Sequence, residues 1–336
     1  MKTAVVFSIS LLMLLTGCRT LDRDPQMVNL RGTIFGTYYS ITYFEEEGRD
    51  YQSDIDSLFY EFNQSLSFYE EESLLSRLNR NKTRQVDEYF KTVFNRSMEI
   101  SAATGGAFDV TVFPLINAYG FGLSERTTMT KERLDSLMEI VGYEKVYLEN
   151  GQLVKEDERI QLDFNAIAKG YAADVVARFL ESKGLKTYLV EIGGDLVAKG
   201  TKPDGSQWRV GLEIPAAEAD APQEWEYFVE VTDMGLATSG DYRRYYEEDG
   251  QRYSHTIDLE TGRPVDHHMM SATVFAPDGM SADGYATAFM VMGVDEAIAF
   301  IEEDEDLEGY FIFDSHDDDY AYYASSGLEL MTRDDL

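Results

Sequence analysis

The organisation of the chain is clearest in residues 162–195, which read LDFNAIAKGYAADVVARFLESKGLKTYLVEIGGD. Apolar residues recur at helical spacing between Ala172 and Leu180, so the pattern predicts a helix over 166–182. Residues 187–192 carry the β-branched and aromatic side chains typical of a strand, and a glycine turn follows at 193–195. Residues 162–195 therefore predict a helix followed by a strand of a sheet, with polar residues at the start of the helix and in the turn after the strand.

The same periodicities extend outward in both directions. Further helices are predicted over 54–68, 90–104, 131–141, 281–293 and 295–302. Strands are predicted over 31–44, 144–148, 152–161, 187–192, 208–214, 227–232, 254–258 and 271–276. Helices and strands do not alternate strictly, which favours an α+β fold with mixed sheets over a doubly wound one.

The N-terminal residues have the pattern of an export signal. Lys2 is followed by an apolar run over 4–15, which is shorter than the about 20 residues that a membrane-spanning helix needs. The run ends in Leu-Thr-Gly-Cys at 15–18, which resembles the lipobox of bacterial lipoproteins. The resemblance implies a signal peptide over 1–17, a lipid on Cys18, a tether over 18–29 and an exported protein anchored on the periplasmic side of a bacterial membrane. An ordinary signal peptide that ends near a cysteine is the alternative.

Composition narrows the function classes. Cys18 is the only cysteine, so the rest of the chain can form no internal disulfide. The formal net charge is −33, and no basic stripe is present, which excludes a nucleic-acid-binding protein. The glycine patterns of P-loop and Rossmann nucleotide sites are also absent.

Two segments carry candidate ligand-binding residues. In Gly105-Gly106-Ala107-Phe108-Asp109, glycines ahead of an aromatic residue and a carboxylate allow close approach of a ligand, or form a helix C-cap followed by a strand. In 162–174, Asp163 precedes a helix and Lys169 lies in its first turns. This arrangement suits a phosphate group. The alternative is that Asp163 or Asn165 caps the helix and Lys169 is exposed.

Two further segments carry candidate catalytic groups. His255 lies at the end of a strand in 254–264, where it could act as a general base or be a hydrogen-bonded structural residue. Asp283 and Thr287 are four residues apart, so they share one face of a helix and present oxygen atoms suited to Mg²⁺. The alternative is an N-cap aspartate and a threonine that bonds back along its own helix.

Together and in this order, the segments resemble the ApbE family of FAD:protein FMN transferases. The resemblance runs from about Gly32 to Gly293 and includes further blocks at 32–37, 67–69, 76–79, 191–195 and 238–242. It implies one α+β domain over 30–330, with the flavin nucleotide in a cleft between two sub-structures. The implied reaction is Mg²⁺-dependent transfer of FMN from FAD to a threonine or serine of an acceptor flavoprotein, with release of AMP.

The resemblance also implies residue roles. His255 is the catalytic base, and Mg²⁺ is held by Asp283, Thr287 and the backbone carbonyl of Ala166. FAD is bound by residues from several segments: Phe35, Tyr69, Ala107, Phe108, Asp109, Asp163, Lys169 and Ile257. The acceptor is an exported flavoprotein or a subunit of a membrane redox complex. Two other functions stay open, an FAD pyrophosphatase that gives FMN and AMP, and a flavin-binding lipoprotein without turnover.

Overall fold

A computed structural model describes residues 24–123, 125–214, 225–240, 245–248, 251–254, 256–315 and 320–335. The helices are α1 (Gln52–Leu66), α2 (Leu74–Asn79), α3 (Glu88–Ala103), α4 (Phe113–Ala118), α5 (Lys131–Met138), α6 (Ala168–Ser182), α7 (Gly279–Met292) and α8 (Val294–Glu303). Single 3-10 turns lie at Tyr143–Lys145 and Arg333–Asp335. Within these ranges, every helix is too short or too polar to span a bilayer.

Most strands belong to one sheet. In spatial order it contains β1 (Gln26–Ile34), β2 (Thr37–Glu45), β5 (Tyr188–Ile192), β6 (Asp195–Lys199), β9 (Met234–Gly240), β14 (Met269–Ala276), β15 (Glu308–Asp314) and β16 (Tyr320–Ala324). The remaining described strands form two-stranded ribbons: β3 (Val146–Glu149) with β4 (Gln152–Lys155), β7 (Trp208–Glu213) with β8 (Trp225–Val231), β10 (Tyr245–Glu248) with β11 (Gln251–Ser254), and β12 (Ile257–Asp258) with β13 (Arg263–Pro264).

Alternating side chains give the main sheet two covered faces. Val197, Ala237 and Val274 point into the core that the helices build, whereas their neighbours Leu196 and Phe275 point the other way. That second face is covered by the β7–β8 ribbon, whose Trp208, Leu212, Val229 and Val231 are buried against it. The sheet is thus sandwiched between a helical layer and a β-ribbon.

The α+β class predicted from the sequence is confirmed, but two details differ. The described strand pairs are all antiparallel, so mixed pairing is not observed among them. The single strand predicted over 31–44 is wrong, because the chain reverses at Phe35-Gly36 to form the β1–β2 hairpin. Both turn residues have positive φ, 53° and 75°, a conformation that glycine adopts readily and phenylalanine rarely does.

Helices α6 and α7 cross so closely that only glycine fits at their contact. A Cβ atom on Gly170 would lie 2.0 Å from the carbonyl oxygen of Gly279 and 2.8 Å from the Cβ of Asp283. The first turn of α7 also contacts α6 through Asp174, whose carboxylate accepts hydrogen bonds from the amides of Gly279 and Met280 at 2.8 and 2.9 Å. The two helices therefore run antiparallel, with their polar residues facing each other.

We expect Gly170→Ala to lower the free energy of unfolding by about 1–3 kcal/mol, because the added methyl group overlaps backbone atoms of α7. Helix propensity alone would give a gain of about 1 kcal/mol for the same substitution, so the sign discriminates between the two effects. Urea unfolding measures the difference. Ser182→Ala, at an exposed position of the same helix, is the matched control and should change stability by less than about 0.5 kcal/mol. Equal stability of Gly170→Ala and the wild type would contradict the packing argument.

Candidate functional site

Lys169 lies between two buried carboxylates at the N-terminal end of α6. Its ammonium group forms an ion pair with Asp195, the first residue of β6, and lies 3.9 Å from Oδ1 of Asp283 on α7. The side chains of Asp195 and Asp283 are 1% and 4% exposed, whereas that of Lys169 is 33% exposed and reaches the surface. Lys169 is thus the most accessible member of this cluster.

The charges of the cluster shift each other's ionisation. Burial alone would lower the pKa of Lys169, but the negative charges of Asp195 and Asp283 raise it above its ordinary value. Burial and the charge of Asp283 raise the pKa of Asp195, an effect that Lys169 opposes. Lys169 is therefore a cation throughout the physiological pH range.

Asp283 is oriented by the free end of the neighbouring helix. Helix α6 starts after Ile167, which provides no side-chain cap, so amides of its first turn lack intrahelical partners. The amide of Gly170 donates a hydrogen bond to Oδ2 of Asp283 at 3.1 Å. Among the described residues, no hydrogen-bond donor lies closer to Oδ1 than the Lys169 ammonium at 3.9 Å. Asp163 and Asn165 do not cap α6; the amide of Asn165 bonds to Asp163 Oδ1 instead, at 2.8 Å.

Thr287 lies one turn after Asp283 and completes a group of oxygen atoms. Its hydroxyl lies 3.4 Å from the carbonyl oxygen of Ala166 and 3.1 Å from the hydroxyl of Ser239 at the end of β9. The alternative that Asp283 caps α7 is wrong, because Asp278 is the N-cap and Asp283 lies inside the helix. Thr287 bonds outward to other elements, so this pair is presented to a site rather than used by its own helix.

The three oxygen donors fit Mg²⁺ by their chemistry. A carboxylate, a hydroxyl and a backbone carbonyl, from Asp283, Thr287 and Ala166, are all hard ligands, and Mg²⁺ commonly completes its shell with water or phosphate oxygens. Among the described residues, no three His, Cys, Asp or Glu side chains cluster in the way that a fully protein-coordinated metal requires. A partly filled coordination shell of this kind suits a metal that is shared with a phosphate-containing substrate.

A second polar segment is fixed beside the start of α6. The helix α3 ends at Ala103 and is capped by the turn at Gly105-Gly106, as one of the two interpretations predicts, but no strand follows. Asp109 is buried and accepts hydrogen bonds from the amide and hydroxyl of Thr111 and from the amide of Tyr143. Burial raises its pKa, and these hydrogen bonds oppose the rise. Both oxygens of Asp109 are thus already used in holding the loop.

The chain before α6 is attached to this loop by backbone pairing. The amide of Asp163 donates to the carbonyl of Val110 at 2.8 Å. Asn79 brackets Leu162, donating to its carbonyl and accepting from its amide, each at 2.8 Å. The block at 76–79 therefore positions the segment that carries Asp163 and Ala166.

The aromatic candidates differ in accessibility. Phe35 is half-buried at the β1–β2 turn and packs on Phe59 and Phe62, with ring centroids 5.9 and 5.4 Å apart. Tyr69 is 59% exposed and lies on Phe68, with centroids 4.1 Å apart. Both rings can take further stacking partners. The Phe35 turn lies next to the 193–195 turn, since the amide of Gly193 bonds to the carbonyl of Tyr38.

The remaining candidates are less available or lie elsewhere. Phe108 and Ile257 are 1% and 4% exposed in hydrophobic clusters, so only their backbone atoms are free to line a ligand site. Ala107, next to Phe108, is half-buried. His255 and Cys18 lie outside the described residues. Asp195 and Ser239 were not among the predicted site residues, although both lie in blocks that carry the family resemblance.

Comparison with known proteins identifies the family of the chain. A sequence model described as the ApbE family matches residues 35–311. An FAD:protein FMN transferase of Vibrio cholerae is 38% identical over 331 residues, covering 96% of this chain and 97% of that protein. One of Haemophilus influenzae is 32% identical over 342 residues and covers 97% of each. The solved structure of the flavin transferase ApbE from Vibrio cholerae superposes with a TM-score of 0.80 at 38% identity, over 90% of this chain and 98% of that one. The chain therefore belongs to the ApbE family.

Proposed function

We propose that this protein is a Mg²⁺-dependent FAD:protein FMN transferase. The observation that carries the proposal is the convergence of Lys169, Asp283, Thr287 and the Ala166 carbonyl at the N-terminal end of α6, in a chain of the ApbE family. A helix N-terminus and a lysine attract phosphate groups, and hard oxygen donors attract Mg²⁺. FAD contains both elements that such a site selects, a pyrophosphate and flat rings for the exposed aromatic side chains.

The reaction divides FAD at its pyrophosphate. The oxygen of an acceptor threonine or serine bonds to the phosphorus on the FMN side, the bridging P–O bond breaks, and AMP leaves. Lys169 contacts the pyrophosphate, while Asp283, Thr287 and the Ala166 carbonyl hold the metal. A Mg²⁺ ion held by these three groups would supply positive charge beside the phosphate oxygens, where negative charge develops. His255 accepts the proton of the acceptor hydroxyl, which is a weak nucleophile without a base.

Substrate binding draws on both ends of the chain. Phe35 and Tyr69 provide stacking surfaces for the isoalloxazine or adenine ring, and Asp163 provides a carboxylate near the start of α6. Backbone atoms of 107–109 and of Ile257 line the nucleotide, since the side chains of Phe108, Asp109 and Ile257 are engaged within the protein. The acceptor is an exported flavoprotein or a flavin-carrying subunit of a membrane redox complex.

Incubation with FAD, Mg²⁺ and an acceptor flavoprotein domain should add one FMN to the acceptor and release an equal amount of AMP. Asp283→Asn should slow the transfer at least about 100-fold, because it weakens a ligand of the metal. Asp295→Asn, an exposed residue at the start of α8, is the matched control and should leave the rate unchanged. Intact-mass spectrometry and nucleotide chromatography measure the two products. An acceptor mass that never increases would contradict the transferase.

The same experiment separates the two alternatives. AMP and free FMN at equal rates with and without acceptor would indicate an FAD pyrophosphatase. Binding of FAD without any release of AMP would indicate a flavin-binding lipoprotein. Family membership supports the transferase over both.

His255→Ala should reduce transfer by about 100-fold or more, within the range that a general base contributes, while the affinity for FAD changes little. Fluorescence titration of FAD and single-turnover transfer measure the two quantities separately. His267→Ala is the comparison, since His267 bonds to backbone atoms, the carbonyl of Met290 and the amide of Met269, and has no role in the proposed reaction. A variant of His255 that loses FAD affinity and rate in parallel would assign the residue to binding rather than to proton transfer.

We further propose that Cys18 carries a lipid that holds the enzyme at the periplasmic side of a bacterial membrane, where membrane-bound acceptors diffuse in the same plane. Cys18→Ser should keep full transferase activity in solution but flavinylate acceptors poorly in cells. Membrane fractionation and mass spectrometry of exported flavoproteins measure the effect. Normal flavinylation by a Cys18→Ser protein that is released from the membrane would contradict a role for the anchor.

A further inference from the structure

Asp195 is a buried carboxylate for which the proposed reaction has no role. It begins β6 directly after the Gly193-Gly194 turn, and its side chain is 1% exposed. It forms an ion pair with Lys169, and the nearby backbone amide of Thr238 on β9 also favours its charged form by lowering its pKa. Because β6 and β9 are both internal strands of the sheet, Asp195 is a fixed point toward which a flexible lysine is drawn.

Asp283 competes for the same ammonium group. Its Oδ2 is occupied by the amide of Gly170, so Oδ1 is the oxygen that it can offer to a metal. Lys169 Nζ lies 3.9 Å from Oδ1, beyond hydrogen-bond length but within reach of a small rotation of the lysine side chain. An ammonium bonded to Oδ1 would occupy the metal's position with a charge of the same sign.

We propose that Asp195 is a positioning residue, which holds the ammonium of Lys169 away from Asp283 and so keeps Oδ1 of Asp283 free for Mg²⁺. The inference rests on the proposed metal site. Asp195 acts through its ion-pair partner Lys169, and the double variant described below separates this effect from the direct charge interaction between Asp195 and Asp283. The pair leaves the lysine charged and close enough to reach a phosphate on the exposed side.

Calorimetric titration of the protein with Mg²⁺ alone, in the absence of FAD, tests this role. Asp195→Asn should weaken Mg²⁺ binding at least about tenfold, because the released ammonium then pairs with Asp283. Lys169→Met should bind Mg²⁺ at least as tightly as the wild type, since the competing cation is gone. The double variant Lys169→Met/Asp195→Asn should regain the affinity that Asp195→Asn loses.

Glu191→Gln controls for the simple loss of one negative charge. Glu191 lies four residues before Asp195 and accepts a hydrogen bond from the hydroxyl of Tyr38 at 2.9 Å. Burial, with the negative charges of Glu191 and Asp195 adding to it, raises the pKa of Tyr38 to about 12. This variant should keep the Mg²⁺ affinity within about twofold, because solvent and salt screen its charge. A loss equal to that of Asp195→Asn would show a general charge effect and overturn the positioning role.

Two further results would overturn the proposal. They are an unchanged Mg²⁺ affinity in Asp195→Asn, and a double variant that stays as weak as Asp195→Asn. If Asp195→Asn does not fold, as circular dichroism would show, the Lys169→Met variant decides alone. Weaker Mg²⁺ binding by Lys169→Met than by the wild type would then reject the positioning role.

Asp283→Asn distinguishes failure of the metal site from failure of the positioning role. Wild-type Mg²⁺ affinity in that variant overturns the metal site itself. Loss of affinity there, with none in Asp195→Asn, overturns only the positioning role.

Discussion

The contact between α6 and α7 sets the distances in the candidate site. Gly170 and Gly279 let the two backbones approach until a carbonyl of one helix fills the space that a Cβ of the other would need. From this contact the helices run antiparallel, so Asp283 meets the first turn of α6 and Thr287 meets the carbonyl of Ala166 just before it. A wider spacing would separate the oxygens that are proposed to share one metal.

The main sheet carries the site residues that do not lie on α6 or α7. Three features lie at the same end of the sheet. They are the Phe35-Gly36 turn between β1 and β2, the 193–195 turn between β5 and β6, and the end of β9 at Ser239. Antiparallel pairing between strands distant in sequence brings them together, since Tyr39 is opposite Ile192 in the register. Polar groups from four elements can therefore meet, although each element contributes only one or two of them.

The sequence predicts the helices of this site and the strand before the 193–195 turn well, and it misses the other strands of the site. Helix α6 is found at 168–182 against a predicted 166–182, and α7 at 279–292 against 281–293, because their apolar spacing is regular. The β1–β2 hairpin was missed because its turn places a phenylalanine at positive φ, which local propensity argues against. The ion pair between Lys169 and Asp195 joins a helix to a strand 26 residues later in the chain. It depends on the order of the strands in the sheet, so the spacing of apolar residues in the sequence does not reveal it.

The charge of the protein poses a further question, because FAD is an anion and the chain carries a net charge of −33. Acidic groups farther than about 8–10 Å from the site are largely screened at physiological salt, so the local balance decides. Asp195 and Asp283 against Lys169 leave one negative charge, which disfavours a pyrophosphate. On the proposed metal site, a divalent cation changes this local sum from −1 to +1. On this proposal the affinity for FAD depends on Mg²⁺, because Lys169 paired with Asp195 leaves the cluster with a net negative charge until the metal binds.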